Sequence, residues 1–142
     1  MSRVYILSLG CPRNLADSEV IAARLKRKGH VIVDTADADV AIVNTCAFIK
    51  EAKQESIDAI LDLIELKNKG ALKKVFVAVF LPQRYGKDLS KHLKEVDGFW
   101  GKISLDNIDD RLRLTPRHYA YVKVSEGCRN NCSYCIIPKI KG

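Results

Sequence analysis

The sequence lacks any long hydrophobic run. Charged residues interrupt every apolar stretch before it reaches the roughly 20 residues that a membrane-spanning helix needs, and the apolar start of the chain is too short for a secretory signal. No Gly-x-Gly-x-x-Gly follows the first predicted strand, so dinucleotide binding has little support. Hydrophobic residues make up 47% of the 142 residues, which excludes a wholly disordered chain. We therefore expect a globular, cytoplasmic protein without membrane association.

Acidic residues are almost absent from the last part of the chain. Residues 111–142, here called the basic tail, contain seven Lys and Arg residues but only one acidic residue, Glu126. The net charge of +7 therefore resides mainly in this segment. Such a tail could contact RNA, a ribosomal surface or an anionic small molecule, and it could equally be a solvated linker.

Predicted strands and helices alternate along the first hundred residues. Runs rich in Val, Ile and Leu predict strands over 3–8, 30–33, 40–43, 75–81 and 98–100. Helices are predicted over about 14–28, 49–67, 86–94 and 105–112. The second helix should bury a stripe made of Ile57, Ile60, Leu61 and Ile64. This alternation predicts an α/β fold with a doubly wound parallel sheet.

A break in the pattern at Thr115-Pro116 predicts a domain boundary. We expect an α/β domain over residues 1–113 and a second unit over 114–142. In that second unit, residues 119–124 read as a new strand, and residues 125–142 read as irregular and cationic.

The five cysteines form two groups. Their number is odd, so a closed disulfide framework would leave one unpaired. Cys11 follows the first predicted strand and Cys46 follows the third. The carboxyl ends of parallel strands lie at one edge of a sheet, where ligands bind. The two thiols could therefore share a ligand site, or each could be a small buried apolar residue.

The remaining cysteines, Cys128, Cys132 and Cys135, form a C-x₃-C-x₂-C stretch, here called the cysteine loop (128–135). Three thiolates can hold three irons of a [4Fe–4S] cluster and leave the fourth iron open to a ligand. A structural zinc site is the alternative, but it needs a fourth ligand, from Cys46, Cys11 or His118. The spacing favours the iron–sulfur cluster.

Several motifs make the chain resemble the N-terminal part of the radical S-adenosylmethionine methylthiotransferases. Leu-Gly-Cys-Pro at the first cysteine, together with Glu-Ser-Ile-Asp in the second helix, resembles the RimO-type branch. The following segments carry the resemblance: Leu9-Gly10-Cys11-Pro12, Asp17-Ser18-Glu19, Asn44-Thr45-Cys46, Glu55-Ser56-Ile57-Asp58, Gln83-Arg84-Tyr85 and Glu126-Gly127-Cys128.

The resemblance implies a function and two clusters. RimO-type enzymes methylthiolate an aspartate of a small-subunit ribosomal protein. Cys128, Cys132 and Cys135 match the ligands of the [4Fe–4S] cluster that binds S-adenosylmethionine and cleaves it to a radical. Cys11 and Cys46 match two of the three ligands of an auxiliary [4Fe–4S] cluster, which carries the sulfur to be transferred.

The chain departs from the family in two respects. The third auxiliary cysteine of the family lies in a Gly-Cys-Leu stretch before Gln-Arg-Tyr, and Phe80 stands at that position here. Phenylalanine offers iron no ligand, which puts the auxiliary cluster in doubt. The family also continues into a barrel, of which this chain holds only what reads as the first strand and the cysteine loop. We therefore expect a truncated radical-SAM domain, inactive alone or completed by a separately encoded barrel.

The main functional hypothesis is thus a methylthiotransferase of the RimO type. A hypothesis from another class remains open. In it, the chain is a non-catalytic metal-binding module that docks on the ribosome or RNA through its basic tail.

Overall fold

Five parallel strands form the single sheet in the computed structural model, which describes residues 1–101 and 111–141. They are β1 (Arg3–Ser8), β2 (Val31–Ile32), β3 (Val40–Thr45), β4 (Lys74–Val79) and β5 (Gly98–Trp100). Their order in the sheet is β2-β1-β3-β4-β5. β1 and β3 are neighbours, with Ser8 opposite Asn44, so the chain reverses its direction of travel across the sheet between these strands.

Helices connect most of the strands. They are α1 (Pro12–Arg27), α2 (Lys50–Asn68) and α3 (Phe80–His92), while a single 3₁₀ turn (Thr35–Asp37) joins β2 to β3. The crossover from β1 to β2 runs across the sheet in the opposite direction to the crossovers from β3 to β4 and from β4 to β5. Because parallel crossovers are right-handed, α1 covers one face of the sheet and α2 and α3 cover the other. The predicted doubly wound α/β fold is confirmed. The helix predicted over 105–112 lies largely outside the described residues.

The apolar run after β4 was predicted as strand as far as Leu81, which is wrong. β4 ends at Val79, and α3 begins at Phe80. A kink at Tyr85 (φ −129°, ψ 16°) separates this first part of α3 from the part after Gly86, where the helix was predicted. Pro82 therefore lies in the first turn of a helix, where the missing N–H costs nothing. A short apolar run does not distinguish a buried strand from the first turn of a buried helix.

The buried face of α2 differs by one residue from the predicted stripe. Ile60 and Ile64 are buried, but Leu61 is 48% exposed, and Leu63 takes its place in the core. Ile57 is partly buried at the margin. Successive helical residues are rotated by about 100°, so a stripe centred on Ile60 and Ile64 turns Leu61 outward.

The basic tail does not form the predicted strand. Residues 119–124 belong to no strand among the described residues, because an extended segment needs a neighbouring strand to satisfy its backbone. The tail also ends in a short helix, α4 (Ile137–Lys141), where irregular structure was expected. Ile140 of α4 is buried in the core, and the side chain of Gln83 donates to its carbonyl oxygen. The tail thus returns to α3.

No helix within residues 1–101 and 111–141 is long and apolar enough to cross a membrane.

Candidate functional site

The loops that carry Cys11 and Cys46 meet at the carboxyl edge of the sheet. Gly10 lies between β1 and Cys11 with φ +85°, and a Cβ atom placed on it would stand 2.7 Å from Cys46 Cβ. Only glycine allows this contact. The predicted approach of the two loops is therefore observed. It lies between β1 and β3, at the switch point where open α/β sheets bind ligands.

The two thiols have different surroundings. Cys11 is exposed at the start of α1, whereas Cys46 is buried, with 6% of its surface accessible. Burial raises the pKa of the Cys46 thiol, opposed by the backbone N–H groups of Phe48 and Ala47. Ser56 of α2 fixes the Cys46 backbone, since its hydroxyl accepts from the Cys46 N–H (3.1 Å) and donates to the Cys46 carbonyl (3.0 Å).

Buried amides hold this edge of the sheet together. Asn14 Nδ2 donates to the carbonyls of Leu9 (2.9 Å) and Thr45 (3.0 Å). Asn44 Nδ2 donates to the Asn14 carbonyl (2.7 Å) and to Ser18 Oγ (2.9 Å). Cys11 is the residue that precedes the first turn of α1, and the Asn14 side chain joins the end of β1 to the end of β3.

A buried aromatic side chain, Phe80, occupies the position of the third auxiliary cysteine of the family. Thr45 Oγ1 donates to the Ala78 carbonyl (2.7 Å) and accepts from the Leu81 N–H (3.0 Å), which draws the β4–α3 turn to the end of β3. Phe80 in this turn is 1% exposed, and its ring centroid lies 4.8 Å from that of Phe48. Two thiols and a phenyl ring do not fit an auxiliary cluster that needs three thiolates.

The residue before Phe80 has a backbone conformation that suits glycine. Val79 has φ +73° and ψ −113°, and no other non-glycine residue in the described part of the chain has a positive φ. β-branched residues rarely adopt this region. Val79 stands where the Gly-Cys-Leu stretch of the related family has its glycine.

The cysteine loop carries the second predicted ligand set. Cys132 is exposed, Cys128 and Cys135 are half-buried, and the Cys135 N–H donates to the Cys132 carbonyl (3.0 Å). Among residues 1–101 and 111–141, no three His, Cys, Asp or Glu side chains are grouped to hold a metal ion. His118, one candidate fourth zinc ligand, packs edge-on against the ring of Tyr119. Three thiols within eight residues match the number of ligands in a [4Fe–4S] cluster with one open iron. Binding of such a cluster would require the three thiols to come together.

Some contacts at this edge could not be foreseen from the sequence. Ser56 and Thr45 make their hydrogen bonds to residues of other elements, and neither belongs to a ligand pattern. The one available signal was a polar residue on the inner face of a helix, as at Ser56. The acidic pair Asp17 and Glu19 gives a similar signal on the buried side of α1.

Comparisons with known proteins agree with the motifs. The model of the family described as "Uncharacterized protein family UPF0004" matches residues 3–101. The chain is 43% identical, over 98% of its length, to the "Ribosomal protein uS12 methylthiotransferase RimO" of Myxococcus xanthus. Proteins of the same name from Pelobacter propionicus and Clostridioides difficile are 44% and 41% identical, over 99% and 100% of this chain.

The chain spans about a third of the length of these curated relatives, from 34% to 38% of the three proteins. The family model covers more than half of the chain, and the sheet edge described above bears the motifs of the resemblance. The chain therefore belongs to the UPF0004 family, and it resembles the N-terminal part of the RimO-type methylthiotransferases.

Proposed function

We propose that this chain serves in a RimO-type methylthiotransferase, which adds a methylthio group to an aspartate of a small-subunit ribosomal protein. The observation that carries the proposal is the 41–44% identity to uS12 methylthiotransferases along the whole chain, including the cysteine loop. We divide the chain into an α/β domain over residues 1–113 and a segment over 114–142 that belongs to the radical domain.

The cysteine loop is the proposed cluster site. Cys128, Cys132 and Cys135 would hold a [4Fe–4S] cluster by three thiolates. When bound, the cluster would supply a site for S-adenosylmethionine and the electron that cleaves it. The role of this chain is to supply three thiols within one eight-residue loop. Their accessibility supports it, since Cys132 is exposed and the other two are half-buried.

We assign no reaction step to the carboxyl edge of the sheet. Cys11 and Cys46 are two donors, and Phe80 fills the place of a third with a ring packed against Phe48. Transfer of sulfur from a cluster at this edge would need a thiolate that the chain does not offer there. The proposal therefore assigns cluster binding to the loop alone.

Iron binding tests the proposal. After anaerobic reconstitution, we expect about four irons and four acid-labile sulfides per chain, as in one [4Fe–4S] cluster. Cys128→Ala, Cys132→Ala and Cys135→Ala should each abolish most of this iron. Cys11→Ala is the matched control, because it removes another exposed thiol and should leave the iron in place. Absence of iron from the wild type, or equal loss with Cys11→Ala, would contradict the proposal.

The substrate is tested in the organism that carries the gene. Mass spectrometry of its small-subunit ribosomal proteins should find a methylthio group on one aspartate. Cys128→Ala, introduced into the chromosomal gene, should remove that modification. An unchanged modification would exclude this chain from the reaction.

The alternative, a metal-binding module that docks on RNA through the basic tail, has less support. Of the seven basic residues of the tail, Arg111 and Lys123 are bound to buried carboxylates of α1. Their positive charges are therefore neutralised by carboxylates of the same chain. Zinc in place of iron after reconstitution, with binding to RNA that weakens steeply with salt, would favour this alternative.

A further inference from the structure

The first half of the basic tail lies against α1 and contacts two buried carboxylates there. Asp17 and Glu19 are only 3% and 1% exposed. A buried carboxylate is costly unless it is paired and hydrogen-bonded. The partners of both residues come from the tail, more than 90 residues further along the chain.

Glu19 binds the beginning of the tail through all of its oxygen atoms. Its Oε2 accepts from the guanidinium of Arg111, and its Oε1 accepts from the Leu114 N–H at 2.9 Å. Its backbone carbonyl accepts from the Leu112 N–H at 3.1 Å. One residue on α1 thus fixes the path of residues 111–114.

Asp17 binds the tail further along. Its Oδ1 accepts from Lys123 Nζ, which also pairs with Glu126. The Lys123 side chain is 9% exposed, so the ion pair lies largely out of water. Arg111 ties the two attachments to each other, because its guanidinium also donates to the Tyr121 carbonyl at 2.7 Å.

These attachments lie close to the cysteine loop and to the sheet edge. Asp17 is six residues after Cys11, about 9 Å along the helix. Lys123 precedes Cys128 by five residues. Residues 121–125 form a groove with Pro12, Arg13 and Ala16 at the start of α1. The tail therefore passes the carboxyl edge of the sheet immediately before the cysteine loop begins.

We propose that Asp17 and Glu19 are positioning residues that fasten residues 111–126 to α1 and thereby fix the place of the cysteine loop relative to the carboxyl edge of the sheet. The importance of the loop's position for cluster chemistry rests on the proposed function, but the attachment of the tail to α1 requires no metal. Neither carboxylate contacts the cysteines. Their role is to limit the positions that the loop can sample.

A distance measurement without metal tests the attachment. Cys132 and an added cysteine at the exposed Asp62→Cys position on α2 carry spin labels, and the other four cysteines are replaced by serine. The starting protein should give one narrow distance distribution in pulsed electron paramagnetic resonance. Asp17→Asn combined with Glu19→Gln should broaden or shift it. Asp39→Asn is the matched control, since it removes a carboxylate paired with Arg3 and Lys73, away from the tail.

A second variant covers the case in which the double variant does not fold. Lys123→Gln breaks the Asp17 contact from the side of the tail, where no helix or strand is at stake, and it should broaden the distribution likewise. In the folded variants of Asp17, Glu19 and Lys123, trypsin should cleave after Arg117 at least about tenfold faster, as expected when a charge-assisted hydrogen bond is lost. Cleavage of Asp39→Asn should stay at the rate of the starting protein. Circular dichroism melting establishes which variants are folded.

An unchanged distance distribution and cleavage rate in a folded variant of Asp17 and Glu19, or of Lys123, would overturn the proposal. Because four of the cysteines are replaced, no cluster forms in this protein. Failure of the proposed cluster function would therefore leave this experiment unaffected.

Discussion

Val79 is the residue whose backbone conformation is hardest to reconcile with its side chain. Its φ of +73° is imposed by its position between the last pairing of β4 and the first turn of α3. A non-glycine residue held in a sparsely populated region such as this loses about 1–3 kcal/mol. Glycine avoids that cost, although its extra freedom in the unfolded chain removes about 0.5–1 kcal/mol of the gain.

We therefore expect Val79→Gly to be more stable than Val79→Ala by about 0.5–2 kcal/mol, from the difference of these two effects. Both variants lose the buried valine side chain, so the comparison isolates the backbone. Urea denaturation measures both free energies of unfolding. Ala78 provides the control, because it lies in β4 with ordinary strand geometry and Ala78→Gly should lower stability by about 1 kcal/mol. Equal stability of the two Val79 variants would show that the turn is not strained.

At the scale of elements, Asp39 links three strands at the amino end of the sheet. It lies directly before β3, and its carboxylate accepts from the Arg3 N–H and Nε of β1, both at 3.2 Å. Lys73, directly before β4, lies 2.9 Å from the same carboxylate. The side-chain hydrogen bond from Arg3, then that from Lys73, and then the Arg3 backbone N–H hold the pKa of Asp39 well below its usual range.

Asp39 thereby makes stability depend on pH in a defined direction. Because its pKa is lower in the folded than in the unfolded chain, its contribution is complete above about pH 4, the usual pKa of an aspartate. It is lost as the pH falls further, towards the folded pKa. The urea midpoint should thus fall more steeply between pH 4 and pH 2 for the wild type than for Asp39→Asn. Parallel curves would refute this, and Asp62→Asn, which removes an exposed carboxylate of α2, is the control.

The elements also show how far local sequence determines this fold. β5 was predicted at its observed bounds, 98–100, because turn residues flank a short apolar run. The approach of Cys11 and Cys46 followed from parallel strands alone. The prediction failed where contacts with distant residues determine the secondary structure. This is the case at Phe80, which begins a helix, and at residues 119–124, which lack a neighbouring strand. The roles of Asp17 and Glu19 depend on residues in the tail, which no local pattern reveals.

At the scale of the whole molecule, the residue at position 80 determines how many clusters one chain is expected to hold. A protein in which Cys128, Cys132 and Cys135 are replaced by serine keeps Cys11 and Cys46. We expect it to take up no iron on reconstitution, because two thiols beside Phe80 do not complete a three-thiolate site.

Phe80→Cys in that background should restore iron binding, since it places a third thiol at the turn that Thr45 holds against β3. The change also removes a buried ring, and a phenylalanine-to-alanine change of this kind costs about 3–5 kcal/mol, so folding must be checked before iron is measured. Leu81→Cys is the matched control, because it places a thiol at the neighbouring, equally buried position. Iron bound without Phe80→Cys would show that Cys11 and Cys46 hold metal by themselves.

The ring pair of Phe48 and Phe80 has a consequence for how the protein matures. A sheet edge closed by metal reaches its final packing only after the metal arrives. Here the edge is closed by hydrocarbon and by the hydrogen bonds of Thr45 and Ser56, all of which form as the chain folds. The packing at this sheet edge can therefore be completed in air and without iron, and only the proposed cluster site in the cysteine loop would require iron.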